Sequence, residues 1–292
     1  MIDVAVIALR LVQYLTGSIL LGSALFFVYA LPRTRPSQPW EGPLLVSAAA
    51  VLALSTVFGI VAQTIALAGS VELGLTGDTL HGMAATSLGT AAIVRAGAAA
   101  AAVPLLLSLR RGPLLWFLTG LLGAVAVASF AWMGHGAASE GAGAQIHLIA
   151  DLTHALFAAL WIGALIGFVM LVLSGADAAT MHLALTRFSA VGVPLVVLLA
   201  ATGLVNSWFL VGLNNLGALL TTNYGRLLSL KLTLFALMLL LAALNRWRHT
   251  PEVTRTRVSS SGLRASIISE ASLGIIVLAL VAWFGMLEPP AS

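Results

Sequence analysis

The 292-residue sequence has no cysteine, and that single absence removes several chemistries at once. No disulfide can staple the chain, no thiolate can hold zinc or an iron–sulfur cluster, and there is no thiol nucleophile. Charge is nearly as scarce, with Asp, Glu, Lys and Arg at 8% of the chain, against roughly 25% in an average soluble domain. A glycine-rich phosphate loop after a strand, an HExxH pair and a Ser/His/Asp set placed for nucleophilic attack are missing as well. An enzymatic reading therefore has no support beyond the histidines, and the sequence reads as a non-enzyme.

What fills the chain is apolar. Hydrophobic residues make up 60% of it and the mean hydropathy is +1.05, values that belong to an integral membrane protein. Runs long enough to cross about 30 Å of hydrocarbon occur at about 4–31, 43–69, 86–109, 113–133, 147–174, 188–211, 226–246 and 265–286. They predict an all-α polytopic bundle of eight transmembrane helices, forming a single integral membrane domain over 1–292. The first run follows only Ile2 and Asp3, lacks a basic leader and is too long for a signal-peptide core, so it is expected to be a retained span. The Ala-rich run 96–102 lies inside a span, where small side chains allow helices to approach closely.

The formal charge of +4 comes from arginines in short loops, a topological pattern rather than a nucleic-acid footprint, and no nucleic-acid partner is expected. Arg33 and Arg35, Arg110 and Arg111, Arg187, and the group Arg246, Arg248, Arg255, Arg257 and Arg264 fall in alternate loops. The positive-inside rule makes those loops cytoplasmic and puts both termini in the periplasm. The opposite loops hold Glu72, Asp78, His81, Met83, His135 and Glu140 with little positive charge. Segments 70–85 and 212–225 on that side are long enough for short interfacial helices, and 250–264 is the one clear linker.

One stretch carries unusual chemistry. In "HLIADLTHALFAALW", residues 147–161, His147, Asp151 and His154 fall on a narrow arc of one helix face. Ionisable groups inside a span are costly and face a bundle interior or a wet cavity. With the helix starting near His147, the three groups form a ladder descending from the outer boundary. "WMGHG" (132–136) ends the fourth run and "HGM" (81–83) precedes the third, each pairing a histidine with a methionine. The candidate metal-binding residues are thus His81, Met83, Met133, His135, His147, Asp151 and His154. Imidazole and thioether without thiolate suit copper, Cu(I) or Cu(II), better than zinc. Singly, each methionine is ordinary core filler and each loop histidine ordinary surface; only their coincidence on one side points to metal. His182 and His249 sit in the arginine-bearing loops and are given no role.

Arg10, Arg95, Lys231 and Glu270, with Gln13, Gln63, Asn206 and Asn245, are further polar groups within spans. Structural hydrogen bonds and ion pairs account for most of them. Asp151 is the expected counter-ion of Arg10 or Arg95, while Lys231 and Glu270 snorkel or mark a pathway.

From residue 134 onward the sequence resembles the CopD family of copper resistance and copper transport membrane proteins. The likeness rests on "GHG", "HLIADLTHALFAALWIGAL", "RFSAVGVPLVVLLAATGLVNSW", "YGRLLSLKLTLFALMLLLAALNRWRHTP", Glu270 and "AWFGMLEPP". The first 130 residues agree mainly in the number and spacing of spans. The resemblance implies a multi-pass protein of the bacterial inner membrane that handles copper supplied from the periplasm. A separate periplasmic copper-binding protein of the CopC type is the implied partner. The expected function is copper import from periplasm to cytoplasm through an outer His/Met/Asp site, driven by membrane potential, a cation gradient or tight capture inside. A haem-binding membrane redox protein, and a copper sensor or delivery platform without translocation, are the alternatives.

Overall fold

The computed structural model describes residues 2–32, 37–134, 141, 143–212, 215, 217–245, 247 and 261–290. Among them there is no strand, and eight helices are long and apolar enough to cross a membrane. These are α1 (Asp3–Tyr29), α2 (Glu41–Ala68), α3 (Ser87–Ser108), α4 (Pro113–Met133), α5 (Ala144–Leu173), α6 (Ala178–Val211), α7 (Asn223–Leu244) and α8 (Ser261–Phe284). His135, most of the loop arginines and residues 248–260 of the linker lie outside the described residues.

The helix ends fall within about four residues of the apolar runs except at the start of α6. Helix α5 begins at Ala144 rather than near His147, which moves the polar ladder a turn deeper. Helix α6 begins about ten residues before the apolar run does, because Asp177 caps it: its carboxylate accepts from the backbone N–H of Thr180 at 2.9 Å and from the Thr180 hydroxyl at 2.7 Å. Those hydrogen bonds hold the Asp177 carboxyl below the usual carboxylate range. The interfacial helices expected in 70–85 and 212–225 are present as Val71–Gly74, Gly77–Ala85 and Ala218–Thr221. Hydroxyl caps from Ser70, Thr76 and Thr86 fix the first two and the start of α3.

Helix α1 is the hub, packing against α2, α4, α5 and α8. Its middle opens into a π-helical turn at Ile19–Ser23, and there it lies almost backbone to backbone with α5. A methyl group on Gly22 would fall 2.8 Å from Cα of Gly163, and one on Gly123 of α4 would fall 2.6 Å from the backbone nitrogen of Leu21. The Ser23 hydroxyl donates to the carbonyl of Gly163 at 2.7 Å. Lipid tails are as apolar as leucine, so close approach and an interhelical hydrogen bond hold such helices where a hydrophobic drive cannot. The aromatic contact Phe26–Phe168, centroids 4.7 Å apart, seals the same interface one turn on. The Ala-rich run behaves as expected, with Ala98, Ala99 and Ala102 in the main core.

Arg95 ties three helices together. Its Nε donates to the Ser129 hydroxyl at 2.9 Å and its Nη1 to Gln13 Oε1 at 2.6 Å, while the guanidinium lies 4.5 Å over the Phe130 ring. Arg10 Nη1 donates to the carbonyl of Gly285 beyond α8, at 3.1 Å. Both arginines thus act structurally.

Replacing Gly163 by valine forces α5 away from α1. Overpacking of this kind costs about 1–3 kcal/mol. Thermal unfolding of detergent-purified Gly163→Val should be lowered by several degrees relative to wild type, with a smaller loss for Gly163→Ala; an unchanged transition would show that the two backbones are not in contact.

Candidate metal site

Helix α5 presents its polar stripe to α6, and the two run antiparallel with matched chemistry at each level. The His147 side chain is buried, its ring stacked on Phe209 with centroids 4.7 Å apart and planes 5° from parallel. One turn in, Asp151 Oδ1 accepts from Asn206 Nδ2 at 3.4 Å. Another turn in, His154 Nδ1 lies 3.0 Å from the Thr202 hydroxyl oxygen. A rise of 1.5 Å per residue from Ala144 puts the three groups roughly 5, 10 and 15 Å along α5. The ladder therefore spans about two turns within the first half of α5.

The Thr202 hydroxyl fixes what His154 can offer. That hydroxyl has one proton, and it donates it to the carbonyl of Leu198 at 2.7 Å. With that proton on the Leu198 carbonyl the hydroxyl accepts from a His154 Nδ1–H, and this tautomer of the ring presents the lone pair of Nε2; the other tautomer would reverse the bond to Thr202. A metal-binding histidine is oriented by an acceptor behind its other nitrogen in just this way. Gly203 keeps room beside the ring, since a methyl there would lie 3.4 Å from His154 Cε1.

Asp151 has space as well. A methyl on Gly134, at the end of α4, would fall 3.2 Å from Asp151 Oδ2, a tight contact that the glycine avoids. Asn206 Oδ1 is buried without a donor. Among the described residues no donor bonds Asp151 Oδ2, while the His154 ring also lies within hydrogen-bond reach of the Leu199 backbone. Asp151 Oδ2 and Asn206 Oδ1 thus lack donors on one stripe, and acceptors without donors are what a cation satisfies.

The charges around this stripe differ from expectation. Arg10 and Arg95 were the expected partners of Asp151, but their guanidinium groups bond Gly285 on one side and Gln13 and Ser129 on the other. The cation whose field reaches Asp151 and His154 is Lys231 of α7, with its Nζ 5.7 Å above the Phe284 ring. Tyr14 of α1 stands within electrostatic range of Asp151, Arg10 and Arg95 together.

The other candidates sit apart from the stripe. His81 is exposed on the helix Gly77–Ala85, and Met83 lines a cleft between α2 and α3 with Thr56, Ile60 and Thr64. Met133 lines a small cavity beside Arg10, Gln13 and Arg95. His135 lies outside the described residues. Among the described residues no three His, Asp or Glu side chains gather around one point. Thr202 and Phe209, which complete the stripe, carry no ionisable group and so escaped notice; their spacing with Asn206, four and then three residues, repeats that of the ladder and was the available signal.

Histidine-labelled protein near neutral pH should show the Nδ1–H tautomer for His154 by nitrogen NMR, shifting toward a mixture in Thr202→Val. A dominant Nε2–H tautomer in the wild type would remove the lone pair from the stripe.

Residues 1–146 match the copper resistance protein D-like N-terminal domain, and residues 182–284 match the copper resistance protein D family. The chain is 33% identical over 300 residues to copper resistance protein D of Pseudomonas syringae pv. tomato, covering 97% of this chain and 96% of that relative. It is 30% identical over 162 residues to inner membrane protein YebZ of Escherichia coli strain K12, covering 54% of this chain and 55% of that protein. No solved structure matches. A multi-pass bundle with this likeness along nearly its whole length belongs to the copper resistance protein D family.

Proposed function

We propose that this protein carries copper across the inner membrane from the periplasm to the cytoplasm, and that the ion enters along the stripe of His147, Asp151 and His154. The observation that carries the reading is the α5–α6 face itself, where the donorless Asp151 Oδ2 and Asn206 Oδ1 stand between the imidazoles of His147 and His154. An ion descending this stripe exchanges one ligand for the next and is never bare in hydrocarbon. Copper fits because the chain offers imidazole, carboxylate and thioether but no thiolate. His81, Met83, Met133 and His135 act at the periplasmic mouth as first-contact groups, Met83 and His81 from the helix Gly77–Ala85. A periplasmic CopC-type protein supplies the ion. The role is that of a carrier and not of an enzyme, with both termini periplasmic.

Purified protein should bind about one copper per chain, more tightly than zinc, and show no Soret band. His147→Ala and His154→Ala each delete a donor and should weaken copper binding by about tenfold or more, or ~1.4 kcal/mol, before stability suffers. Asp151→Asn keeps shape but removes the charge, and should abolish uptake into vesicles while the protein stays folded. Stoichiometric haem would overturn the copper reading, and normal binding by both histidine variants would overturn the stripe.

Topology is a separate check. A reporter active only in the cytoplasm should be silent when fused after Ser292 and active when inserted near Ser260. The reverse result would put the stripe on the cytoplasmic side and reverse the direction of transport.

A further inference from the structure

The polar stripe of α5 does not stop at His154. Seven residues on, two turns along the same face, Trp161 is buried, and its indole N–H donates to Glu270 Oε1 of α8 at 3.2 Å. The other carboxylate oxygen accepts from Asn245 Nδ2 at 3.2 Å, at the end of α7. Glu270 is 2% exposed and sits about nine residues inside α8, roughly 13 Å from its start. Both of its donors are neutral, and among the described residues no cationic side chain bonds it. A carboxylate held this way inside a span is either neutralised by a proton or awaits a cation.

Helix α7 repeats the alignment. Lys231, Met238 and Asn245 are spaced by seven and share one face, so Met238 lies between the level of the ladder and the level of Glu270. Met238 is 3% exposed, and its methyl lies against α8 at Gly274, where a Cβ would come within 3.4 Å of it. The cluster around it, Trp161, Ile162, Leu165, Leu195, Leu199 and Ala271, is otherwise hydrocarbon and indole. Its thioether is a soft donor set in an apolar plug that separates two polar levels. One turn toward the cytoplasmic end from Glu270, the Ser266 hydroxyl is buried without a partner.

We infer that Glu270, backed by Trp161 and Asn245 and reached through the Met238 thioether, is an inner binding station for a soft monovalent cation, the second stop of copper that enters at His154. The inference rests on the import reading above and adds its cytoplasmic half. An ion leaving His154 Nε2 would pass the thioether and be held by the carboxylate, whose neutral donors orient it without competing in charge. Ser266 offers the next oxygen outward.

The test compares Glu270→Gln, Met238→Leu and His154→Ala in two assays on the full-length protein: equilibrium copper binding in detergent, and uptake into vesicles. Glu270→Gln keeps size and one acceptor, and Met238→Leu keeps volume without sulfur. The expected result is that both inner variants keep copper binding at the His154 stripe, with uptake lowered about tenfold or more by Glu270→Gln and several-fold by Met238→Leu. His154→Ala should lose binding and uptake together. A folded Glu270→Gln that takes up copper like wild type, while His154→Ala does not, overturns the inner station and leaves the import reading intact. Wild-type behaviour of His154→Ala, or a wild type that binds copper without moving it, overturns the import reading and this inference with it. Should Glu270→Gln fail to fold, Met238→Leu decides: unchanged uptake overturns the station, slowed uptake with retained binding supports it.

Discussion

The near-contact of two backbones at Gly22 and Gly163 is the constraint on which the rest of the bundle depends. Helix α1 can touch α5 this closely only because neither residue has a side chain there and because the π-helical turn Ile19–Ser23 brings Ser23 onto the Gly163 carbonyl. With that edge of α5 fixed against the hub, a different face is left for α6. The face so turned carries His147, Asp151 and His154. Small residues in one half of a helix thereby decide where the polar residues of its other half can point.

Once the stripe is turned inward, desolvation governs its chemistry. Each polar atom buried there must be paired within the protein, since lipid offers nothing. Arg95 meets that demand, with partners for all three of its nitrogens. The stripe meets it only in part. The Thr202 hydroxyl meets one nitrogen of His154, and Asn206 satisfies one oxygen of Asp151 while leaving Asp151 Oδ2 and its own Oδ1 without donors. Partial satisfaction is expensive for a purely structural network, because a half-paired buried group is worse than an apolar one. A network that is completed each time a cation passes does not bear that cost permanently.

Much of this organisation was legible in the sequence. Eight apolar runs gave eight helices, because span length is set by bilayer thickness and charges are excluded from hydrocarbon. The i, i+4, i+7 spacing put His147, Asp151 and His154 on one face of α5, where the structure has them. Two things were not legible. Asp177 starts α6 with a cap, which hydropathy does not register, and Arg10 and Arg95 find neutral partners, a backbone carbonyl, an amide and a hydroxyl, where charge counting alone pairs them with Asp151. The place of Met83 and Met133, lining clefts with residues of α1, α2 and α3, follows from helix packing and not from loop membership.

Lys231 gives the arrangement its sense of balance. A lone carboxylate at the level of Asp151 would hold a copper ion too firmly to release it, and a lone ammonium would repel it. Lys231 is half-buried over the Phe284 ring, near enough for its field to be felt at both Asp151 and His154 but not bonded to either. In the proposed carrier its charge would offset that of Asp151 in the empty stripe and weaken the hold on an arriving cation. Conduction requires binding that is favourable enough for entry and weak enough for exit. A cation held mainly by neutral Nε2 and amide oxygen, with carboxylate and ammonium nearly cancelling, meets both conditions without a thiolate.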